Sequence, residues 1–317
     1  MIINILLLIV GFILLIKGAD IFVDGASSTA QNFKVSKMLI GLTIVAFGTS
    51  APEFAVSMSA LASGSTDMVL GNVIGSNITN ILLILGVGTV ICPLVIKENT
   101  IKKELPLVLL ISTLFTVLFL DTRLGNGDVD KISRADGIVI LLFFLIFVYY
   151  LIALAKQSKD LKKEEKPKYS LGISLLFVII GLVGIVLGSN FVVNNASSIA
   201  KTLGISERVI SLTIIAFGTS LPELMTTIVS AKKGEQELLV GNIIGSNIMN
   251  LCIVLGVPVA IYGGITPINF QSIDLIMLVG TALLLFITSE TSKKITRLEG
   301  ILMLVVFLIY YTLVFVI

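Results

Sequence analysis

Gly41–Phe54 reads GLTIVAFGTSAPEF, and Ser211–Leu224 reads SLTIIAFGTSLPEL. Ten of these fourteen positions are identical, at an offset of 170 residues. The same offset carries Gly71–Asn80, GNVIGSNITN, onto Gly241–Asn250, GNIIGSNIMN. It also carries Ala26-Ser27-Ser28 onto Ala196-Ser197-Ser198, and it runs without a gap from 18–87 to 188–257. A repeat of this clarity marks a duplicated unit.

The repeats lie in a chain of 317 residues that is 56% hydrophobic and 13% charged, with mean hydropathy +1.07. Soluble domains carry about 25% charged residues, so this chain uses lipid as its solvent. A spanning helix needs roughly 20 mostly apolar residues. Ten candidates follow, at 2–23, 38–61, 68–93, 105–121, 137–156, 171–192, 209–231, 238–262, 272–289 and 299–317. The charge run Lys156–Lys168 falls between the fifth and the sixth. The expected division is a first five-helix repeat at 1–156, a charged loop at 157–170 and a second repeat at 171–317. Five crossings return the chain on the opposite side, so the second repeat enters upside down. The expected fold is therefore an all-α polytopic membrane protein of ten transmembrane helices, built as two inverted five-helix repeats. Met1-Ile2-Ile3-Asn4 lacks the basic start of a secretory signal and reads as the beginning of the first helix.

Loop charge sets the orientation. One side holds Lys34, Lys37, Lys97, Lys102, Lys103, the lysines of 156–168, Lys232, Lys233, Lys293, Lys294 and Arg297. The other holds only Arg123, Lys131, Arg134, Lys201 and Arg208, with Lys17 inside the first helix. The basic side is expected to be cytoplasmic, with both termini outside, in the plasma membrane of a prokaryote.

The repeats also hold the polar anomalies. Glu53 is the only charge from Met38 to Leu61, and Glu223 the only one from Val209 to Ala231. A carboxylate inside a membrane span is costly and marks function by default. The plainer reading, a protonated structural glutamate, does not explain why both stand at equivalent positions beside the same neighbours. Thr49 and Ser50 precede Glu53 by four and three residues, as Thr219 and Ser220 precede Glu223, so an unbroken helix puts them on its face. Pro52 and Pro222, with Gly48 and Gly218, predict a break that frees carbonyls near Ala46 and Ala216. In the third and eighth helices, Asn72, Ser76 and Asn80, and Asn242, Ser246 and Asn250, are spaced by four and form polar stripes. Asn80 and Asn250 are the asparagines expected to touch a cation; Asn77 and Asn247 are expected in interhelical hydrogen bonds. Gly71 with Gly75, and Gly241 with Gly245, read as close packing positions.

Carboxylates, amide and backbone carbonyls and hydroxyls are hard oxygen ligands. With no histidine in the chain, and Cys92 and Cys252 in apolar runs, they suit Na⁺, Ca²⁺ or Mg²⁺ rather than zinc or copper. Two carboxylates among several neutral oxygens fit Ca²⁺ better than the strict octahedron of Mg²⁺.

GTSAPE at 48–53, GTSLPE at 218–223, GNVIGSN at 71–77 and GNIIGSN at 241–247 resemble the two alpha-repeats of the cation/calcium exchanger superfamily, above all its compact prokaryotic sodium/calcium exchangers. The resemblance covers the whole ten-helix plan. It implies ion sites between the second, third, seventh and eighth helices, with the first and sixth sliding past that block. It implies Ca²⁺ held by Glu53 and Glu223 with carbonyl oxygen from Thr49 and Thr219. It implies sodium sites drawing on the hydroxyls of Ser50, Ser76, Ser220 and Ser246 and the carbonyls of Ala46 and Ala216, with Asn80 and Asn250 lining the centre. Some members, potassium-dependent ones among them, carry aspartate where Asn250 stands, so asparagine argues against potassium dependence.

The expected function is antiport of Na⁺ against Ca²⁺ by alternating access, electrogenic at about three Na⁺ per Ca²⁺ as the resemblance implies. A H⁺/Ca²⁺ antiporter is the rival within transporters, and its family shows an acidic motif where Ser76 and Ser246 stand here. A cation channel sits poorly with duplicated inverted halves, and an intramembrane protease would more often use two aspartates. The expected partners are Na⁺, Ca²⁺ and the lipid bilayer, with no nucleic acid, no cofactor and no catalytic residues, and a monomer is expected.

Overall fold

Residues 1–124, 129–158, 166–204, 216–266 and 272–316 are described by the computed structural model, and the regular elements among them are helices apart from four two-residue strands. In chain order the main helices are α1 (Ile2–Phe33), α2 (Lys37–Thr49), α3 (Ala51–Ala62), α4 (Thr66–Ile91), α5 (Leu105–Phe119) and α6 (Arg134–Ser158). They continue with α7 (Leu171–Thr202), α8 (Leu221–Lys232), α9 (Gln236–Tyr262), α10 (Ser272–Ser292) and α11 (Arg297–Val316). Among the described residues seven helices are long and apolar enough to cross a membrane, or eight if the bent pair α2 and α3 counts as one span. The expected fourth span is a helix of only 15 residues, preceded by a π turn at Thr100–Glu104. Residues 209–215 of the expected seventh span lie outside the described residues, as does Arg208.

α1 and α7 run ten residues beyond the ends expected from hydropathy. Their polar tails stay helical because short side chains bond back to carbonyls one turn earlier. Thr29 Oγ1 donates to Gly25 O at 2.7 Å and Thr202 Oγ1 to Ser198 O at 2.9 Å. The turns after α3 and α8 close on Gly64 and Gly234, at φ +79° and +71°, a left-handed conformation that suits glycine. These two glycines are also 170 residues apart.

Contacts divide the chain into two units, each drawing on both halves of the sequence. The first comprises Met1–Pro52 and Ala155–Asn242. Here α1 and α7 lie antiparallel at a separation that only glycine permits. A Cβ on Gly11 would meet Val192 N at 2.9 Å, one on Gly18 would meet Ile185 N at 2.7 Å, and one on Gly25 would meet Val178 N at 2.8 Å. From the facing side, a Cβ on Gly181 would meet Phe22 N at 2.5 Å and one on Gly188 would meet Leu15 N at 2.6 Å. Without a hydrophobic drive inside lipid, such backbone proximity is a main source of helix association. Leu15, Ala19, Phe22, Ile185 and Val192 fill in around the seam. Gly41 and Gly241 make a second close approach, with Gly41 Cα 3.1 Å from a Cβ built on Gly241. Near the C-terminal end of α1, Lys233 meets Asp20 at 2.8 Å and Asp24 at 2.6 Å, while Lys168 meets Asp24 at 2.8 Å. Glu235 accepts from Lys37 and from Ser27 Oγ.

The second unit comprises Glu53–Leu154 and Ile243–Ile317. Within it the last turns of α4 pack on α11, where a Cβ on Gly86 would meet Gly300 O at 3.1 Å. α6 and α11 begin on capping boxes: Ser133 pairs with Asp136, and Thr296 with Glu299. Leu94–Val95 pairs antiparallel with Lys294–Ile295, and Ile132–Ser133 with Gly264–Ile265. Each pairing joins loops that the charge pattern assigns to the same side. Buried Glu104 accepts from Tyr150, and Asp274, its counterpart at the repeat offset, accepts from Tyr310 at 2.7 Å. Among the described residues nothing lies within 4 Å of a Cβ on Gly71 or Gly75, so the close packing expected there is not seen. The counterpart of the Gly41 segment, 205–215, lies outside the described residues.

Candidate functional site

The site begins with two helix breaks. α2 ends at Thr49, Ser50 takes φ −84° and ψ 5°, and α3 restarts at Ala51 with a bend of 45°. Ser220 takes φ −87° and ψ 2° ahead of α8. The proline two residues on explains both: it cannot donate an amide to the carbonyl four residues back. That carbonyl belongs to Gly218 in the second repeat, and Ser189 Oγ donates to it at 2.8 Å. The expectation that Ala46 would be freed needs correction, because its carbonyl accepts Ser50 N at 3.0 Å and Thr49 Oγ1 at 3.5 Å. Ala216 begins the short helix Ala216–Gly218.

The break also overturns the shared helix face expected for Thr49, Ser50 and Glu53. In the first unit Ser50 Oγ instead donates to Glu223 Oε1 at 3.2 Å, across 173 residues of sequence. Thr49 Oγ1 donates to Asn242 Oδ1 at 3.2 Å, and Asn242 Nδ2 donates to Thr226 Oγ1 at 3.3 Å. Thr226 Oγ1 bonds back to Pro222 O and Glu223 O, closing a chain around the glutamate. Ser50 and Ser220 are buried, and Glu223 is 1% exposed. Among the described residues Glu223 Oε2 and Thr219 Oγ1 have no hydrogen-bond partner. Glu223 stands in the first turn of α8, where unpaired amides and the positive end of the helix dipole favour a negative charge.

The second unit holds the other cluster. Glu53, also 1% exposed, stands in the first turn of α3. Asn72 Nδ2 donates to Glu53 O at 3.0 Å and to Ser57 Oγ at 2.9 Å, pinning that turn to α4. Ser76, Asn77 and Asn80 on α4 and Ser246, Asn247 and Asn250 on α9 are all buried. Asn80 Nδ2 donates to Asn247 Oδ1 at 3.1 Å. The oxygens Asn80 Oδ1, Ser246 Oγ and Asn250 Oδ1 find no partner among the described residues. Both α4 and α9 turn into π helix at these asparagines, over Asn80–Leu85 and Asn250–Leu255. Single π turns often sit at functional positions.

Each unit thus holds one of the two repeat-related buried glutamates, near neutral oxygens that have no partner among the described residues. Buried polar atoms are ordinarily paired, so a group of orphaned oxygens asks for a cation. Among the described residues no three His, Cys, Asp or Glu side chains come together. Sequence reading passed over Ser57, Ser189 and Thr226. Only their hydroxyls in apolar helices signalled them. It placed Asn72 and Asn242 in the stripes without a role.

Apolar helices carrying buried, repeat-related carboxylates and broken backbones define an ion-handling membrane protein. Residues 3–153 and 173–316 match the model of the family described as "Sodium/calcium exchanger protein". The chain is 35% identical to the inner membrane protein YrbG of Escherichia coli over 98% of its own length and 96% of that protein. It is 29% identical to the sodium/calcium exchanger MaX1 of Methanosarcina acetivorans over 99% of both chains. Structures of the sodium-calcium exchanger NCX_Mj superpose with a TM-score of 0.85, at 35% identity and 98% coverage of both chains. The chain belongs to the sodium/calcium exchanger family.

Proposed function

We propose that this chain is a secondary antiporter that exchanges Na⁺ for Ca²⁺ by alternating access. One observation carries the reading: a buried glutamate recurs in the first turn after a serine-centred helix break, as Glu53 and as Glu223. Glu53 and Glu223 hold the dication, with Thr49 and Thr219 contributing carbonyl oxygen. Ser50, Ser76, Ser220, Ser246 and Ala216 supply oxygens for Na⁺, and Asn80 and Asn250 line the centre. The ten-helix plan, with inverted repeats at 1–156 and 171–317 around the loop 157–170, puts the lysine-rich loops in the cytoplasm and both termini outside. Purified protein in liposomes should take up radiocalcium when Na⁺ is loaded inside. Uptake that is indifferent to the Na⁺ gradient overturns the reading.

The charge count bears on stoichiometry. Two carboxylates are neutralised by one Ca²⁺ or by two Na⁺, and a third Na⁺ leaves the loaded site at plus one. Three-for-one exchange moves one net charge per cycle, which 100 mV drives by about 2.3 kcal/mol. With a clamped K⁺/valinomycin potential, the Ca²⁺ zero-flux point is expected to shift with voltage. A zero-flux point that stays fixed means two-for-one exchange.

A further inference from the structure

We propose that Asn247 is a positioning residue for the exchange: it turns the Asn80 amide so that Oδ1 faces the transported cation. Its repeat counterpart, Asn77, does not do the same for Asn250. The inference rests on the reading above that Asn80 and Asn250 contact the ions.

An asparagine side chain has two nearly isosteric ends. The carbonyl oxygen attracts a cation and the NH₂ repels it. Shape alone cannot choose between them, so a second group must. For Asn80 that group is present: its Nδ2 donates to Asn247 Oδ1 at 3.1 Å, with both residues 1% exposed. Asn80 Oδ1 is left with no hydrogen-bond partner among the described residues. Reversing Asn80 would bring two carbonyl oxygens together unless Asn247 reversed as well. The orientation of one amide is therefore tied to that of the other.

The duplicated partner pair behaves differently. Asn77 Nδ2 donates to Val73 O at 2.7 Å, one turn back on its own helix. Neither Nδ2 nor Oδ1 of Asn250 has a partner among the described residues. Asn80 and Asn250 hold equivalent positions in the two repeats and open equivalent π turns, yet only Asn80 is bonded to a neighbouring amide. Asn80 turns only together with Asn247, whose own Nδ2 has no partner among the described residues, whereas Asn250 turns alone to suit its occupant. Orienting partners behind a metal ligand typically contribute 10–100-fold to affinity, and the two repeats should divide that contribution unequally.

The test compares Asn247→Leu with Asn77→Leu, using full-length protein in liposomes and the half-saturating Ca²⁺ concentration of Na⁺-driven flux. Asn247→Leu should weaken apparent Ca²⁺ affinity by roughly tenfold or more, with a smaller change in maximal rate. Asn77→Leu should stay within about threefold of the native chain, since the bond it loses orients nothing else. The same Asn247→Leu change made together with Asn80→Asp should add little to Asn80→Asp alone, because a carboxylate presents oxygen from either end. A merely structural role for Asn247 would give the same loss in both backgrounds. If Asn247→Leu does not fold, Asn247→Ser, whose hydroxyl is too short to reach Asn80, takes its place. Equal losses for the two repeat positions, or an undiminished Asn247 effect beside Asn80→Asp, overturns the inference. Failure of the native chain to couple Ca²⁺ to Na⁺ would instead overturn the function on which it rests.

Discussion

In Glu223→Gln, Na⁺-driven Ca²⁺ uptake is expected to disappear while the protein still purifies as a folded monodisperse species. Glutamine keeps the shape and can still accept the hydrogen bond that Ser50 Oγ makes at 3.2 Å. What it loses is the charge that a bound dication requires. A charge-assisted contact is worth up to about 3 kcal/mol, or roughly a hundredfold in affinity, and replacing one carboxylate oxygen by an NH₂ adds repulsion to that loss. Glu53→Gln is expected to behave alike, since Glu53 holds the equivalent place in α3. Ser50→Ala, which removes one hydrogen bond and no charge, should fall between the native chain and Glu223→Gln. Radiocalcium flux in liposomes, with size-exclusion profiles of each variant, decides the matter. Robust exchange by Glu223→Gln would remove Glu223 from the ion-binding residues.

Gly18→Leu is expected to abolish the folded state itself. A Cβ there would stand 2.7 Å from Ile185 N and 2.9 Å from Gly181 O, and neither backbone atom can turn aside. Ordinary overpacking costs about 1–3 kcal/mol, and here α1 must lift off α7 along a seam of glycines seven residues apart. Gly172→Leu on α7 is the control, because nothing described lies within 4 Å of its Cβ. Detergent-extracted Gly172→Leu should melt near the native temperature, whereas Gly18→Leu should yield little soluble protein. A Gly18→Leu chain that melts with the native protein would show that the two helices do not depend on the close approach.

The glycine seam was present in the sequence as Gly11, Gly18 and Gly25 facing Gly181 and Gly188, yet nothing in the chain says that these helices meet. Glycine is common in membrane helices, and partner choice is a tertiary matter. The helix breaks were legible because proline acts locally: Pro52 and Pro222 predicted the interruptions at Ser50 and Ser220. Where the freed groups would turn was not legible. Spacing along one helix put Ser50 with Glu53, but the bend redirected its hydroxyl to a glutamate 173 residues away. The polar stripes were readable from their spacing of four. The π turns at their ends were not, because Ile81–Leu85 reads as an ordinary apolar run. Helix ends were misjudged where hydropathy faded before helicity did, as in the tail of α1.

A π turn holds about one residue more than the α turn it replaces. In α4 that surplus lies between Asn80 and the last turns of the helix, so the two ends keep separate angular reference frames. Deleting one residue from Ile81–Leu85 would remove that surplus and let the stretch rewind as ordinary α-helix. Everything beyond would keep nearly its present angle, and Gly86 would stay against Gly300. What the deletion would cost is the π turn itself, which begins at Asn80. The length of this stretch is thus constrained from the Asn80 end, not by the contact with α11.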